Sequence, residues 1–236
     1  MSERATDRGL RGATRDGVVL LHGISRTSRS FRRMQAAIEG CGFATLNLDY
    51  PSRRKALEAL ADDIHPAIEL FAAGIDGSIH FVGHSMGGLL TRAYLARYRP
   101  KRLGRVVMLG TPNGGSEIAD RLKNVLPYRA WFGPAGQQLI TTRDATLDAI
   151  LPPVDYPVGI IAGDRSIYPI SSVLLPKPHD GRVPVENTRL DGMVDHVVIK
   201  ASHPGLMRSN LAIDQTIAFL REGRFTPSVV VTRENG

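Results

Sequence analysis

A serine between glycines, in Gly83-His84-Ser85-Met86-Gly87, is the residue of this sequence best suited to nucleophilic chemistry. The Gly-x-Ser-x-Gly pattern forms a sharp turn between a strand and a helix, which holds the serine hydroxyl clear of the sheet. Gly83 and Gly87 fit that turn because the chain on either side of the serine approaches itself closely. An apolar run before the motif and a helical pattern after it favour a nucleophile at Ser85 over a glycine-rich turn without chemistry.

A serine hydroxyl is a weak nucleophile until a base removes its proton, so a histidine must reach Ser85. His203 follows the last apolar run, in a loop that is expected to return over the serine. We therefore predict His203 as the base, although a loop histidine exposed to water is the simpler alternative. The six other histidines fit less well: they are His22, His65, His80, His84, His179 and His196.

An acid should hold the imidazole in the correct tautomer and stabilise its protonated form. Asp164 comes directly after an apolar run, and Asp180 lies further along the same connection, in Asp180-Gly181-Arg182-Val183-Pro184. Either carboxylate could reach His203, and the other would then be a turn-forming residue. Asp191 and Asp195 are less suitable because they lie nearer to the final apolar run.

Negative charge on a carbonyl oxygen is usually stabilised by two backbone amides, and losing one such donor costs about 10²–10³ in rate. The amide of Met86, the residue after the nucleophile, is predicted to be one donor. The second is expected in the loop after the first apolar run, where Gly23 lets the backbone turn inward. We predict the amide of Ile24, with Ser25 as the alternative.

Short apolar runs alternate with helical patterns along the chain, which predicts a mostly parallel α/β sheet with helices on both faces. Strands are predicted at residues 17–21, 43–48, 78–82, 105–109, 158–162 and 196–200. Helices are predicted at residues 30–39, 55–73, 88–98 and 209–221, with Pro66 inside the second. A further edge strand at 229–231 is left open.

The longest connection, residues 113–155, predicts a lid or cap inserted into a single domain that covers residues 1–236. The alternative is a long connection that packs on the edge of the sheet. An apolar lining from this segment would favour apolar acyl groups. The candidate wall residues are Leu122, Val125, Leu126, Trp131, Phe132, Leu139 and Ile150.

Composition is that of an ordinary globular protein, with 42% hydrophobic and 22% charged residues. The net charge of +7 comes from scattered basic residues without interleaved aromatics, so we predict no nucleic-acid partner. Cys41 is the only cysteine, and no run is apolar enough to span a membrane. Because residues 1–16 lack the apolar stretch of a signal peptide, we expect a cytoplasmic protein. The sequence makes no prediction of the oligomeric state.

Together, these motifs resemble the α/β-hydrolase superfamily, and within it the lipase and esterase branch related to bacterial triacylglycerol lipases. The matching segments are 18–23, 83–88, 109–116, 180–184 and 202–203. The resemblance implies a Ser, Asp, His order along the chain and favours Asp180 as the acid. It also implies a metal-independent acyl-enzyme reaction on carboxylic esters without a cofactor. Some secreted relatives carry a structural calcium near the acid loop, but no carboxylate cluster is evident here, and we predict no metal.

Two other functions compete with ester hydrolysis. A thioesterase or acyltransferase would use the same triad. Arg26 and Arg29 beside the oxyanion loop could hold an anionic acyl carrier, but surface positions explain them better. A non-catalytic binding protein of this fold would usually have lost a triad residue.

Overall fold

A computed structural model describes residues 14–114, 149–168 and 175–227. In these ranges six parallel strands form one sheet in the order β2-β1-β3-β4-β5-β6. The strands are β1 (Gly17–Leu21), β2 (Ala44–Leu48), β3 (Ile79–His84), β4 (Leu103–Leu109), β5 (Val158–Gly163) and β6 (Asp195–Ile199). Because all six run in the same direction, the loops that follow them lie along one edge of the sheet.

Helices cover both faces of this sheet. They are α1 (Arg32–Gly40), α2 (Leu57–Ala73), α3 (Met86–Tyr98), the short α4 (Val185–Thr188) and α5 (Asn210–Glu222). Residues of α2 and α3 pack with one apolar cluster, and residues of α1 and α5 pack with a second. Strands β1, β3 and β5 are buried throughout, as expected of interior strands covered on both sides. The predicted α/β class is therefore confirmed.

The predicted elements differ from the observed ones mainly at their ends. Strand β3 continues to His84, and α3 begins at Met86, so the turn between them is a single residue, Ser85. A 3₁₀ helix at Ser28–Phe31 precedes α1, where the sequence predicted one continuous helix. Pro66 lies inside α2, which continues past it to Ala73.

Most of the predicted lid, and six of its seven candidate wall residues, lie outside the described residues, as does the open edge strand at 229–231. Ile150 is described, and it packs against the apolar cluster on the side of α2 and α3. Ile150 therefore contributes to core packing at the end of the connection that precedes β5.

Arg92, on α3, holds the two ends of the connection that follows β4. Its side chain is buried, and its Nη2 donates to the carbonyl oxygens of Leu151 at 2.7 Å and Pro152 at 3.0 Å. Its Nη1 lies 3.5 Å from Asn113 Oδ1, and Asn113 donates to the carbonyl of Thr188 at 2.8 Å. The two ends are thus fixed to the same side chain. Among the described residues, no helix is long and apolar enough to cross a membrane.

Candidate active site

Ser85 occupies a strained turn at the end of β3, one of the two central strands. Its φ of 55° and ψ of −125° are rare for a residue with a side chain, and its amide donates to the carbonyl of Leu109 at 2.8 Å. A β-carbon at Gly87 would lie 2.0 Å from the carbonyl oxygen of Leu21, and one at Gly83 would lie 2.6 Å from that of Gly87. Only glycine fits at both positions, so the local sequence explains the turn.

The loop after β1 lies directly against Ser85. A β-carbon at Gly23 would be 3.1 Å from Cβ of Ser85, so this glycine lets the loop approach the serine. The chain turns back here, with the amide of Arg26 donating to the carbonyl of Gly23 at 3.2 Å and Ser25 at a positive φ of 57°. The Ser25 amide donates to Ser52 Oγ at 3.1 Å. Of the two predicted donors in this loop, Ser25 is therefore engaged elsewhere, which favours Ile24.

His203 and Asp180 form a buried pair beside the end of β4. His203 Nδ1 lies 2.7 Å from Asp180 Oδ2, and the amide of His203 donates to the Asp180 carbonyl at 2.9 Å. The other carboxylate oxygen, Oδ1, accepts from the amides of Arg182 at 2.9 Å and Val183 at 2.8 Å. These bonds occupy the carboxylate as an acceptor, so the His203 tautomer that fits this contact has its proton on Nδ1 and none on Nε2.

The Asp-Gly-x-Val-Pro pattern explains how this carboxylate is held. Gly181 has a positive φ of 98°, which turns the chain so that the Val183 amide points back at Asp180. The Asp180 amide donates to the Val183 carbonyl at 3.2 Å, and His179 Nδ1 accepts from the Gly181 amide at 3.0 Å. The motif is therefore a tight turn around one buried carboxylate.

Two glycines at strand ends make room for the pair, and sequence reasoning did not single them out. A β-carbon at Gly110, after β4, would lie 2.9 Å from Asp180 Oδ2 and 3.2 Å from His203 Nδ1. One at Gly163, the last residue of β5, would lie 2.9 Å from Asp180 Cβ. The available signal was a glycine at the end of each of two neighbouring apolar runs.

His84 connects the nucleophile turn to the loop of His203. Its Nε2 lies 2.9 Å from the His203 carbonyl oxygen, and the two imidazole rings are 4.7 Å apart. Burial lowers the pKa of His84 well below its ordinary value, and the neighbouring side chains of His203, Arg26 and Arg182 lower it further. The ring is therefore neutral and donates through Nε2.

Ser85 is linked to the buried pair through short stretches of backbone. The Ser85 amide donates to the carbonyl of Leu109, and Gly110, which follows Leu109, lies beside the Asp180–His203 pair. His84, which precedes Ser85, contacts the carbonyl of His203. Within the described ranges, His203 Nε2 makes no hydrogen bond to Ser85 or to any other side chain. The structure thus brings the three predicted residues to one edge of the sheet, with one histidine nitrogen unused.

The other candidates lie elsewhere. Asp164 follows β5, but among the described residues its carboxylate forms no hydrogen bond with His203. Asp195 accepts from the amide of Phe225 at 2.8 Å. His22 stacks on Tyr50 with ring centroids 4.1 Å apart, and burial lowers its pKa. In the part of the chain that the structure describes, no three His, Cys, Asp or Glu side chains form a metal-binding cluster.

A family model described as the alpha/beta hydrolase fold matches residues 17–152, more than half of the chain. The chain therefore belongs to the α/β-hydrolase family. Its relatives by sequence include the triacylglycerol lipase of Pseudomonas fragi, 30% identical over 116 residues, which are 47% of this chain and 39% of that lipase. The triacylglycerol lipase of Burkholderia plantarii is 40% identical over 58 residues, 25% of this chain and 16% of the lipase. The chain thus spans well under half the length of these curated relatives.

Solved structures share the fold over most of the chain. The mature form of a Bacillus licheniformis lipase matches with a TM-score of 0.73 at 18% identity, covering 90% of this chain and 94% of the lipase. A metagenomic carboxyl esterase matches with a TM-score of 0.60 at 19% identity, covering 85% and 68%. With the curated relatives, these matches support the lipase and esterase branch that the motifs predicted.

Proposed function

We propose that this protein is a serine esterase that hydrolyses carboxylic esters through an acyl-enzyme, with Ser85 as nucleophile, His203 as base and Asp180 as its orienting acid. The observation that carries the proposal is the buried Asp180–His203 hydrogen bond of 2.7 Å beside the strained turn of Ser85. Curated relatives that are triacylglycerol lipases support ester hydrolysis as the reaction. The substrate is proposed to be a small-molecule ester with an apolar acyl group.

In the proposed mechanism, His203 Nε2 removes the proton of Ser85 as Oγ attacks the ester carbonyl carbon. The amides of Ile24 and Met86 stabilise the resulting oxyanion. His203 then gives the proton to the leaving alcohol, and a water molecule activated by His203 releases the acid from Ser85. Asp180 keeps the Nδ1 proton in place throughout and stabilises the imidazolium.

The arrangement of the base agrees with this order of steps. With Nδ1 bonded to Asp180, the only proton-accepting atom of His203 is Nε2, and the described residues leave it unbonded. Hydrogen bonds between nucleophile and base are often long in unliganded enzymes and shorten when substrate binds. We therefore expect the Ser85–His203 bond to form in the substrate complex.

The test is hydrolysis of p-nitrophenyl esters from acetate to palmitate, with Ser85→Ala measured in parallel. We expect activity in the unmodified protein and loss to background in Ser85→Ala, because no other described hydroxyl lies in the same turn. A fluorophosphonate probe should label only the unmodified protein. If neither protein cleaves any ester and the probe does not react, the proposal is wrong, and a silent binding protein becomes the better explanation.

A further inference from the structure

A cleft lined by arginines opens beside the oxyanion loop. It has a volume of about 690 Å³, and its walls come from the loops that follow β1 and β2. The lining includes Ser25, Arg26, Tyr50, Ser52, Arg53 and Arg54, and it contains no acidic residue. The cleft is therefore cationic and rich in hydrogen-bond donors.

This cleft is bonded to the loop that holds the proposed oxyanion donor. The Tyr50 hydroxyl donates to the His22 carbonyl, and Ser52 Oγ accepts from the Ser25 amide at 3.1 Å. Ser25 directly follows Ile24, so the cleft begins one residue, or about 3.8 Å along the chain, from the Ile24 amide. The charge of Arg26 also helps to lower the pKa of His84, the neighbour of Ser85. A group in the cleft would thus lie next to the reacting carbonyl.

Two arginines of the cleft, Arg26 and Arg54, have no acidic partner in the described part of the protein. Lys55, just after the cleft, lies 2.7 Å from Asp63, and Arg97 lies 3.0 Å from Asp62. By contrast, no carboxylate in residues 14–114, 149–168 and 175–227 lies within 4.0 Å of Arg26 or Arg54. The nearby Asp49 accepts from the amide and hydroxyl of Ser28 at 2.6 and 2.8 Å instead.

A buried hydroxyl adds a donor to this charge. The Ser52 side chain is buried, and its oxygen already accepts from Ser25. Among the described residues, no acceptor takes the Ser52 hydroxyl hydrogen. Planar guanidinium groups with hydroxyl donors match the oxygen atoms of a phosphate.

The two halves of an ester would suit this cleft differently. An alkyl chain placed there would strip water from arginines and serines without replacing its hydrogen bonds, which is unfavourable. A charged alcohol half would replace those bonds. We infer that the cleft formed by Arg26, Ser52, Arg54 and their neighbours binds a phosphate group carried by the leaving alcohol or thiol of the substrate. This inference rests on the proposed esterase function for its catalytic consequence.

The first test compares two esters that differ only in phosphate, 1-butyrylglycerol and 1-butyrylglycerol 3-phosphate, by the release of butyrate. We expect a higher kcat/KM for the phosphorylated ester. In the double variant Arg26→Gln/Arg54→Gln, the ratio of kcat/KM for the phosphorylated ester to that for the unphosphorylated ester should fall at least about tenfold, since one lost charge-assisted hydrogen bond alone has this effect. A second pair, S-butyryl-pantetheine and its 4′-phosphate, shows whether the phosphate belongs to a thiol carrier.

Arg29→Gln is the matched control. Arg29 lies in the 3₁₀ helix that follows the loop of Arg26 and carries the same charge, but it does not line the cleft, and its charge acts on Asp49. We expect Arg29→Gln to leave both ratios within about twofold of the unmodified protein, because long-range charge at the surface is screened by salt. A ratio of one or less for both pairs in the unmodified protein would overturn the inference, as would an unchanged ratio in the double variant.

A binding measurement separates this inference from the proposed function. Calorimetry with the Ser85→Ala variant should detect binding of glycerol 3-phosphate, and the added Arg26→Gln/Arg54→Gln changes should abolish it. If glycerol 3-phosphate binds but no ester is cleaved by the unmodified protein, the esterase proposal fails and the phosphate cleft stands. If esters are cleaved but glycerol 3-phosphate does not bind and the phosphorylated esters are not preferred, the esterase proposal stands and the phosphate inference is wrong.

Discussion

Two of the described histidine–aspartate pairs lie at opposite ends of the same sheet, and only one of these two histidines has a ring nitrogen left for the proposed base. His203 and Asp180 lie beyond the carboxyl ends of the strands, with Nδ1 2.7 Å from the carboxylate and both side chains buried. His80 is near the start of β3, with Nε2 3.4 Å from Asp16 Oδ2, and that carboxylate side chain is 39% exposed. The two pairs therefore differ in place, distance and burial.

The more instructive difference is in the second ring nitrogen. His80 Nδ1 accepts from the Arg105 amide at 2.8 Å, and Asp16 also accepts from the Ser78 amide at 2.7 Å. Both nitrogens of His80 are therefore used to tie strand ends together. His203 uses only Nδ1 for structure and keeps Nε2 unbonded among the described residues. A histidine–carboxylate contact indicates a base only when the other nitrogen remains available.

The strongest test of the different roles of His203 and His80 is to replace each histidine by glutamine. For His203→Gln we expect loss of esterase activity on the order of 10⁶-fold, because the serine loses its base. For His80→Gln we expect activity within about twofold, since the site is distant and a glutamine can both donate and accept there. Initial rates on a p-nitrophenyl ester measure both. Equal losses in the two variants would contradict the distinction.

The carboxylates provide a smaller but more specific contrast. Asp180→Asn should lower kcat by about 10⁴-fold, because an amide at this position favours the wrong tautomer of His203. Asp16→Asn should leave kcat nearly unchanged and affect only stability, by about 1 kcal/mol. Steady-state kinetics and thermal unfolding of both variants separate these effects. An Asp180→Asn enzyme with full kcat would remove Asp180 from the proposed triad and return attention to Asp164.

The smallest expected effect is on acid stability. Burial lowers the pKa of His80 below its ordinary value of 6.5, so the unfolded chain binds the proton more readily than the folded chain. This contribution to the free energy of unfolding is complete above pH 6.5 and is lost as the pH falls through the lowered, folded pKa. His80→Gln should therefore show a shallower loss of stability between neutral and acidic pH, measured by urea unfolding. His22, His84 and His196 also have lowered pKa values, so most of the pH dependence of the free energy of unfolding should remain in this variant.

The sequence predicted the strands and the nucleophile turn because both depend on local patterns. Apolar runs determine a buried parallel strand, and Gly83 and Gly87 are required by the turn itself. The choice between Asp164 and Asp180 depends instead on the path of a long connection, to which local sequence is a poor guide. Family resemblance favoured Asp180, and the structure has it bonded to His203.

Contacts between distant segments were the hardest to predict. Gly110 and Gly163 matter because their missing side chains leave space for Asp180 and His203, which come from other loops. The arginine cleft joins the loops after β1 and β2, although a 3₁₀ helix, α1 and β2 separate Arg26 from Arg54 along the chain. From the sequence alone Arg26 is best explained as a surface residue, because no local pattern indicates that the loop of Arg54 lies beside it.

Arg92 fixes where the chain leaves the sheet after β4 and where it returns before β5. One buried guanidinium thus contacts both anchor points, Asn113 on one side and Leu151 and Pro152 on the other. The entropy of closing a flexible loop grows slowly, by about 0.6 kcal/mol for each doubling of length. Segments of quite different length and composition could therefore be exchanged between residues 113 and 151 at little thermodynamic cost, which makes this connection a natural site for grafting new substrate preferences onto an unchanged sheet.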